Sequence, residues 1–86
     1  MYNYEEQKKS IFTAQGQRLL DSFRKRIKEL NRSGSSCFTA FDLMKAHAGD
    51  SWDMLACIDM LVELGEITEI EQQGYVKGQD RVFKTL

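Results

Sequence analysis

The tightest constraint on what this chain can fold into is the spacing Asp50, Met54, Ile58, Leu61, Gly65, Ile67. It reads as a helix cap, core-facing positions at helical intervals, a terminating glycine and an apolar return toward the core. An aspartate at a helix start accepts from backbone N–H groups that have no partner within the helix, and the helix dipole favours its charge there. Glycine just past the last turn takes the left-handed conformation that closes a helix. The spacing predicts a helix after Asp50, ended at Gly65 and followed by a strand.

Working outward from this element, Thr39 opens an earlier helix, with Asp42 three residues on in the place usually held by Glu in a capping box. That second helix is expected over Ala40 to His47, with Phe41 and Met44 inward and Gly49 stopping it. Further upstream, Gly16, Leu19, Leu20, Phe23, Ile27 and Leu30 recur at three- and four-residue intervals between Thr13 and Asn31. They gather within about 100° of a helical wheel, the mark of an amphipathic helix. Thr13 suits its cap, and Asn31-Arg32-Ser33-Gly34-Ser35-Ser36 suits its end. Cys37-Phe38 fits a very short strand. Downstream, Glu66–Gln72 and Arg81–Leu86 read as strands around a connection holding Gln73-Gly74 and Gly78. Residues 1–12 mix Tyr2 and Tyr4 into a polar run without a period, as an N-terminal arm or a helical extension. With 86 residues in all, residues 13–86 form one domain with one modest core.

Thr39 through Ile67, as short helix, turn and second helix followed by a hairpin, resembles the helix-turn-helix of winged-helix proteins. With the first helix and Cys37-Phe38 included, the resemblance spans residues 13–86. The expected fold class is helix-rich α+β: three helices plus a C-terminal two-stranded wing. The resemblance implies a third helix lying in the DNA major groove, while the wing touches phosphates.

The residues on that helix fit the implication poorly. Placing Met54, Leu55, Cys57, Ile58, Leu61, Val62 and Leu64 on the buried arc leaves Trp52, Asp53, Ala56, Asp59, Met60 and Glu63 outside. That face has no lysine or arginine, and its three carboxylates repel a phosphate backbone. It better fits a protein contact, with Trp52 as aromatic anchor beside Met60. Net charge is −1, but residues 1–36 carry eight basic and four acidic side chains, residues 37–66 one and six, and residues 67–86 three of each. Candidate contacts to double-stranded DNA are therefore the row Arg24, Lys28 and Arg32, Lys45 on the second helix, and Lys77, Arg81 and Lys84 in the wing. Two readings stand: a DNA-associated regulator using these residues, or a module for a protein partner or a homodimer using the Trp52/Met60 face, against the basic helix of a second copy.

Catalysis has no support in the pattern. His47 is the sole histidine, with no nucleophile pattern near it and no glycine-rich phosphate loop before a helix. Cys37 and Cys57 lack the further ligands that zinc requires and read as small buried hydrophobes, so neither metal nor cofactor is expected. No run approaches the ~20 apolar residues that span a bilayer, and the N-terminus has no apolar signal segment, so a cytoplasmic protein without membrane contact is expected.

Overall fold

Thr13, Thr39 and Asp50 each supply the side-chain oxygen that starts a helix. Thr13 Oγ1 accepts from the Gly16 N–H at 3.0 Å, and Asp50 Oδ1 accepts from the Trp52 N–H at 2.8 Å. At Thr39 the box closes in both directions: the Asp42 N–H donates to Thr39 Oγ1 and the Thr39 N–H donates to Asp42 Oδ2. The computed structural model describes residues 2–45, 47, 50–70 and 81–86. In chain order it contains α1 (Tyr4–Gln7), a 3-10 helix (Lys8–Phe12), α2 (Ala14–Arg32), β1 (Cys37–Thr39), α3 (Ala40–Met44), α4 (Ser51–Glu63), β2 (Ile67–Glu69) and β3 (Val82–Thr85).

The helix ends follow the same local logic. Past α4, Gly65 has φ 75°, which lets the Glu66 N–H reach the Leu61 carbonyl and the Gly65 N–H reach the Val62 carbonyl, each at 3.0 Å. That turn aims the chain back along the sheet, so Ile67 enters the core 1 % exposed. α2 ends in an equivalent pair of bonds, from Ser35 to Leu30 and from Gly34 to Asn31.

The chain is helix-rich α+β, with a small antiparallel sheet of order β1-β3-β2. Phe38 stands opposite Phe83 on β1 and β3, and Glu69 opposite Phe83 on the other side. The Phe38 and Phe83 rings stack with centroids 6.3 Å apart. Together with Phe23, Ile27, Leu43, Ile58 and Leu61 they form the centre of the core, in which no polar or charged residue among those described is buried.

Several details depart from the sequence expectation. α3 stops at Met44, and His47 sits beyond it with its ring 4.9 Å from Phe23, edge to face. Phe41, expected inward, is 51 % exposed, and Leu64 is 53 % exposed because it lies at the turn that ends α4. Cys37 is exposed, since the strand alternation that buries Phe38 turns its neighbour outward, whereas Cys57 is buried. The strands are shorter than expected, and Gly49, Gly74, Gly78 and Lys77 lie outside the described residues.

The N-terminus, expected as an arm or a helical extension, is helical but folded back on the rest of the chain. Residues 4–12 are helical and pack against α4 and α2, with Ile11 only 1 % exposed. The fold-back is close enough that a Cβ on Gly16 would lie 2.2 Å from the Ser10 carbonyl oxygen and 2.6 Å from Ile11 Cα. Gly16 is therefore the contact point where the 3-10 helix crosses the start of α2, in addition to being an inward position of that helix.

Candidate functional site

α4 is the central helix of the molecule: α1, the 3-10 helix, α2, α3 and β2 all contact it. Its sequence, SWDMLACIDMLVE, explains this, because apolar residues occur on every side and such a helix is stable only when surrounded. The side expected to face outward is covered by the N-terminal segment. Tyr2 Oη donates to Asp59 Oδ2 at 2.6 Å, the Tyr4 hydroxyl donates to Glu63, and Gln7 Nε2 and Ser10 Oγ donate to Asp53 Oδ1 at 2.6 and 2.8 Å.

This corrects the placement of Trp52, Asp53, Ala56, Asp59, Met60 and Glu63 as one open face. Ala56 is fully buried, Met60 is buried at 9 % exposure, and Asp53 and Asp59 are half-buried and hydrogen-bonded. Glu63 stays exposed while receiving Tyr4, and Trp52 keeps 41 % of its surface. Burial raises the pKa of both Tyr2 and Tyr4 well above the ordinary phenol range, and the carboxylates that accept their hydroxyls raise it further.

The basic candidates divide into engaged and free groups. Arg24 forms two hydrogen bonds to Glu66, at 2.9 and 2.7 Å, and a third to Asp21 at 3.2 Å. The bond to Arg24 holds Glu66 below the usual carboxylate range. Arg81 bridges Asp59 and Glu69, both at 2.8 Å, and lies 5.2 Å from the Phe83 ring centroid. Lys45 approaches Asp42 at 3.8 Å. Lys28, Arg32 and Lys84 are exposed and, among the described residues, have no carboxylate within ion-pair distance; the same holds for Arg18 and Lys25.

Four of these free cations share one helix face. At 100° per residue, Arg18, Lys25, Lys28 and Arg32 fall within about 80° of the α2 wheel, along a line of about 21 Å. Asp21 interrupts the row but is held by Arg24. Lys84 does not join it. Strand alternation puts Lys84 on the side of β3 opposite Thr85, and Thr85 is the residue that Asn31 of α2 reaches at 2.9 Å.

A cavity of about 470 Å³ opens between the 3-10 helix, α2 and α4. Most of its polar groups are already committed: Asp50 caps α4 and Asp53 holds Gln7 and Ser10. Cys57 lies at its apolar floor, and burial, aided by Asp53, pushes its thiol up to about 11, which leaves it protonated and a poor nucleophile. Among the described residues there is no cluster of three or more metal-binding side chains, and no helix is long and apolar enough to cross a membrane.

The covering segment is the part of this surface that sequence reasoning does not place. Its signal was present in an unusual form: Tyr2, Tyr4 and Ile11 are large residues within a polar stretch, each matched to an α4 or core position far along the chain. Comparison of the chain with protein-family models, curated proteins and solved structures gives no match.

Proposed function

We propose that this protein is a small non-enzymatic winged-helix module that associates with double-stranded DNA through phosphate contacts from α2, in a regulatory role, and not through base reading by α4. The observation that carries this reading is the row Arg18, Lys25, Lys28 and Arg32, exposed along one face and free of carboxylate partners among the described residues. Among the described residues no carboxylate of α4 lies within ion-pair distance of that row; Asp53, Asp59 and Glu63 accept instead from the N-terminal segment. A line of cations about 21 Å long matches several successive phosphates, which gives affinity with little sequence preference.

The test is anisotropy of a labelled duplex titrated with protein at several salt concentrations. Binding is expected at low salt and to weaken steeply as salt rises. Replacing both Lys28 and Arg32 with Ala is expected to reduce the slope of log K against log salt by about 2, nearly one for each phosphate that is no longer neutralised. Absence of binding at low salt would refute the reading.

A protein-contact role retains one observation in its favour: Trp52 and Phe41 are large aromatic residues with 41 % and 51 % of their surface exposed. In that reading Trp52→Ala abolishes a partner complex or homodimer measured by sedimentation, and a homodimer that sets the basic helix of one copy against the Trp52 face of the other is also weakened by substitutions in the α2 row.

A further inference from the structure

The cavity between the 3-10 helix, α2 and α4 has two facing helical walls. Gln15, Arg18, Leu19 and Ser22 follow the i, i+3, i+4, i+7 spacing of one face of α2. Asp50, Asp53, Met54 and Cys57 repeat that spacing through the cap and first turns of α4. Met54 and Cys57 are buried, whereas Arg18 and Asp50 are exposed, so the charges stand at the mouth with apolar groups behind them. Helix pairs normally pack without gaps much larger than a water molecule; the volume of about 470 Å³ here lies instead in the range of small-ligand sites.

The charges at the mouth are of both signs, and none is paired. Among the described residues Arg18 has no carboxylate within ion-pair distance, and neither Asp50 nor Asp53 has a cation within it. Each aspartate uses one oxygen within the fold: Asp50 Oδ1 accepts from the Trp52 N–H, and Asp53 Oδ1 accepts from Gln7 and Ser10. The Oδ2 atom of each is left to other donors. A cation on one wall and carboxylates on the other, too far apart to pair with each other, complement a ligand that carries both charges. A purely anionic amphiphile would set its charge against Asp50 and Asp53, and a purely cationic one would set its charge against Arg18.

We propose that this cavity binds a free α-amino acid with an apolar side chain, its carboxylate on Arg18, its ammonium on Asp50 and Asp53, and its side chain against Leu19, Met54 and Cys57. An α-amino acid carries its two charges on one carbon at the head of an apolar body, which matches a charged mouth and an apolar back. The thiol of Cys57 stays protonated, so it adds no charge where the side chain lies. The bound amino acid bridges α2 and α4. The proposal stands independently of DNA association, although Arg18 belongs to both surfaces.

Isothermal titration calorimetry of the full chain with L-phenylalanine and L-leucine, in the absence of DNA, tests it. One amino acid is expected to bind per chain. N-acetylphenylalanine lacks the ammonium and phenylalanine amide lacks the carboxylate, and each is expected to bind at least about tenfold more weakly than phenylalanine. Arg18→Ala is expected to weaken phenylalanine by a similar factor without weakening the amide further. Asp50→Asn with Asp53→Asn keeps the helix cap and the acceptor for Gln7 and Ser10. That pair is expected to weaken phenylalanine without weakening N-acetylphenylalanine further. Circular dichroism checks that each variant is folded; should the double variant not fold, Asp53→Asn alone takes its place, with weaker phenylalanine binding the expected result and unchanged binding the contrary one. The proposal is overturned if neither amino acid shows saturable binding at roughly 10 mM, if either single-charge analogue binds as tightly as phenylalanine, or if Arg18→Ala binds phenylalanine like the unchanged protein.

Discussion

Thr39 serves two elements at once, as the last residue of β1 and the cap of α3. The reciprocal bonds with Asp42 fix the angle at which the sheet gives way to the helix, and the Thr39 backbone N–H is the largest cause holding Asp42 below its ordinary pKa. Thr39→Ala is expected to cost about 1 kcal/mol, seen as a fall of roughly 4–8 °C in Tm for a domain of this size. A depressed carboxylate stabilises the fold above its unfolded pKa and loses that contribution as pH falls through the folded value. Asp42 and Glu66 therefore weaken the protein only on acidification. Tyr2 and Tyr4 act at the opposite end. Their folded pKa values lie above the unfolded value of 10.0, so their contribution is complete below that pH and is lost as pH rises past it toward the folded values. In a tyrosinate absorbance titration, Tyr2 and Tyr4 are expected to ionise late, and Tyr2→Phe with Tyr4→Phe removes that late phase.

At the scale of elements, α4 shows how much the sequence made legible. Its cap, its terminating glycine and the return at Ile67 are short-range features: each depends on residues within one or two turns, and spacing reports them faithfully. Its exposure was not legible in the same way. A wheel drawn for α4 must assign some side to solvent, and Ala56 and Met60 fell there by default, although a helix with apolar residues all round has no solvent side. What covers this side includes Tyr2 and Tyr4, more than fifty residues earlier in sequence, whose hydroxyls reach Asp59, Met60 and Glu63, a separation that no local period records. Phe41 went the other way for a related reason, because a helix as short as α3 offers too few residues for an inward face to be distinguished. Ala56→Arg, which would suit a helix that reads DNA, is expected instead to destabilise the domain by at least about 3 kcal/mol, through overpacking and an unpaired buried charge. Chemical denaturation measures this directly.

Across the whole molecule, the sorting of charge along the chain finds only a partial internal explanation. Arg24 and Glu66 join the basic start to the acidic middle, and Arg81 reaches back to Asp59 from the C-terminal strand. The rest of the acidity on α4 is met by neutral donors, and the basic face of α2 is left over. Lys28 and Arg32 were legible in the sequence as a row with Arg24, but Arg18 and Lys25 were not among the candidates, and the pairing of Arg24 and Arg81 was not legible, since carboxylates 42 and 22 residues away take them up. Because Lys28 and Arg32 have no such partners among the described residues, Lys28→Ala and Arg32→Ala are each expected to change stability by less than about 0.5 kcal/mol. Thermal unfolding can confirm that any lost binding is not a lost fold.

The separation of the N-terminal segment from its docking site also orders events in time. Tyr2 bonds to a residue 57 positions later, so during synthesis the segment emerges well before α4 and finds its surface only after α4 has been made. Until then only the local bonds among Ser10, Ile11, Thr13, Gly16 and Gln17 hold the chain in its folded-back form. The docking of the N-terminus is therefore a late step in the folding of the protein, after the long-range contacts with α4 become available.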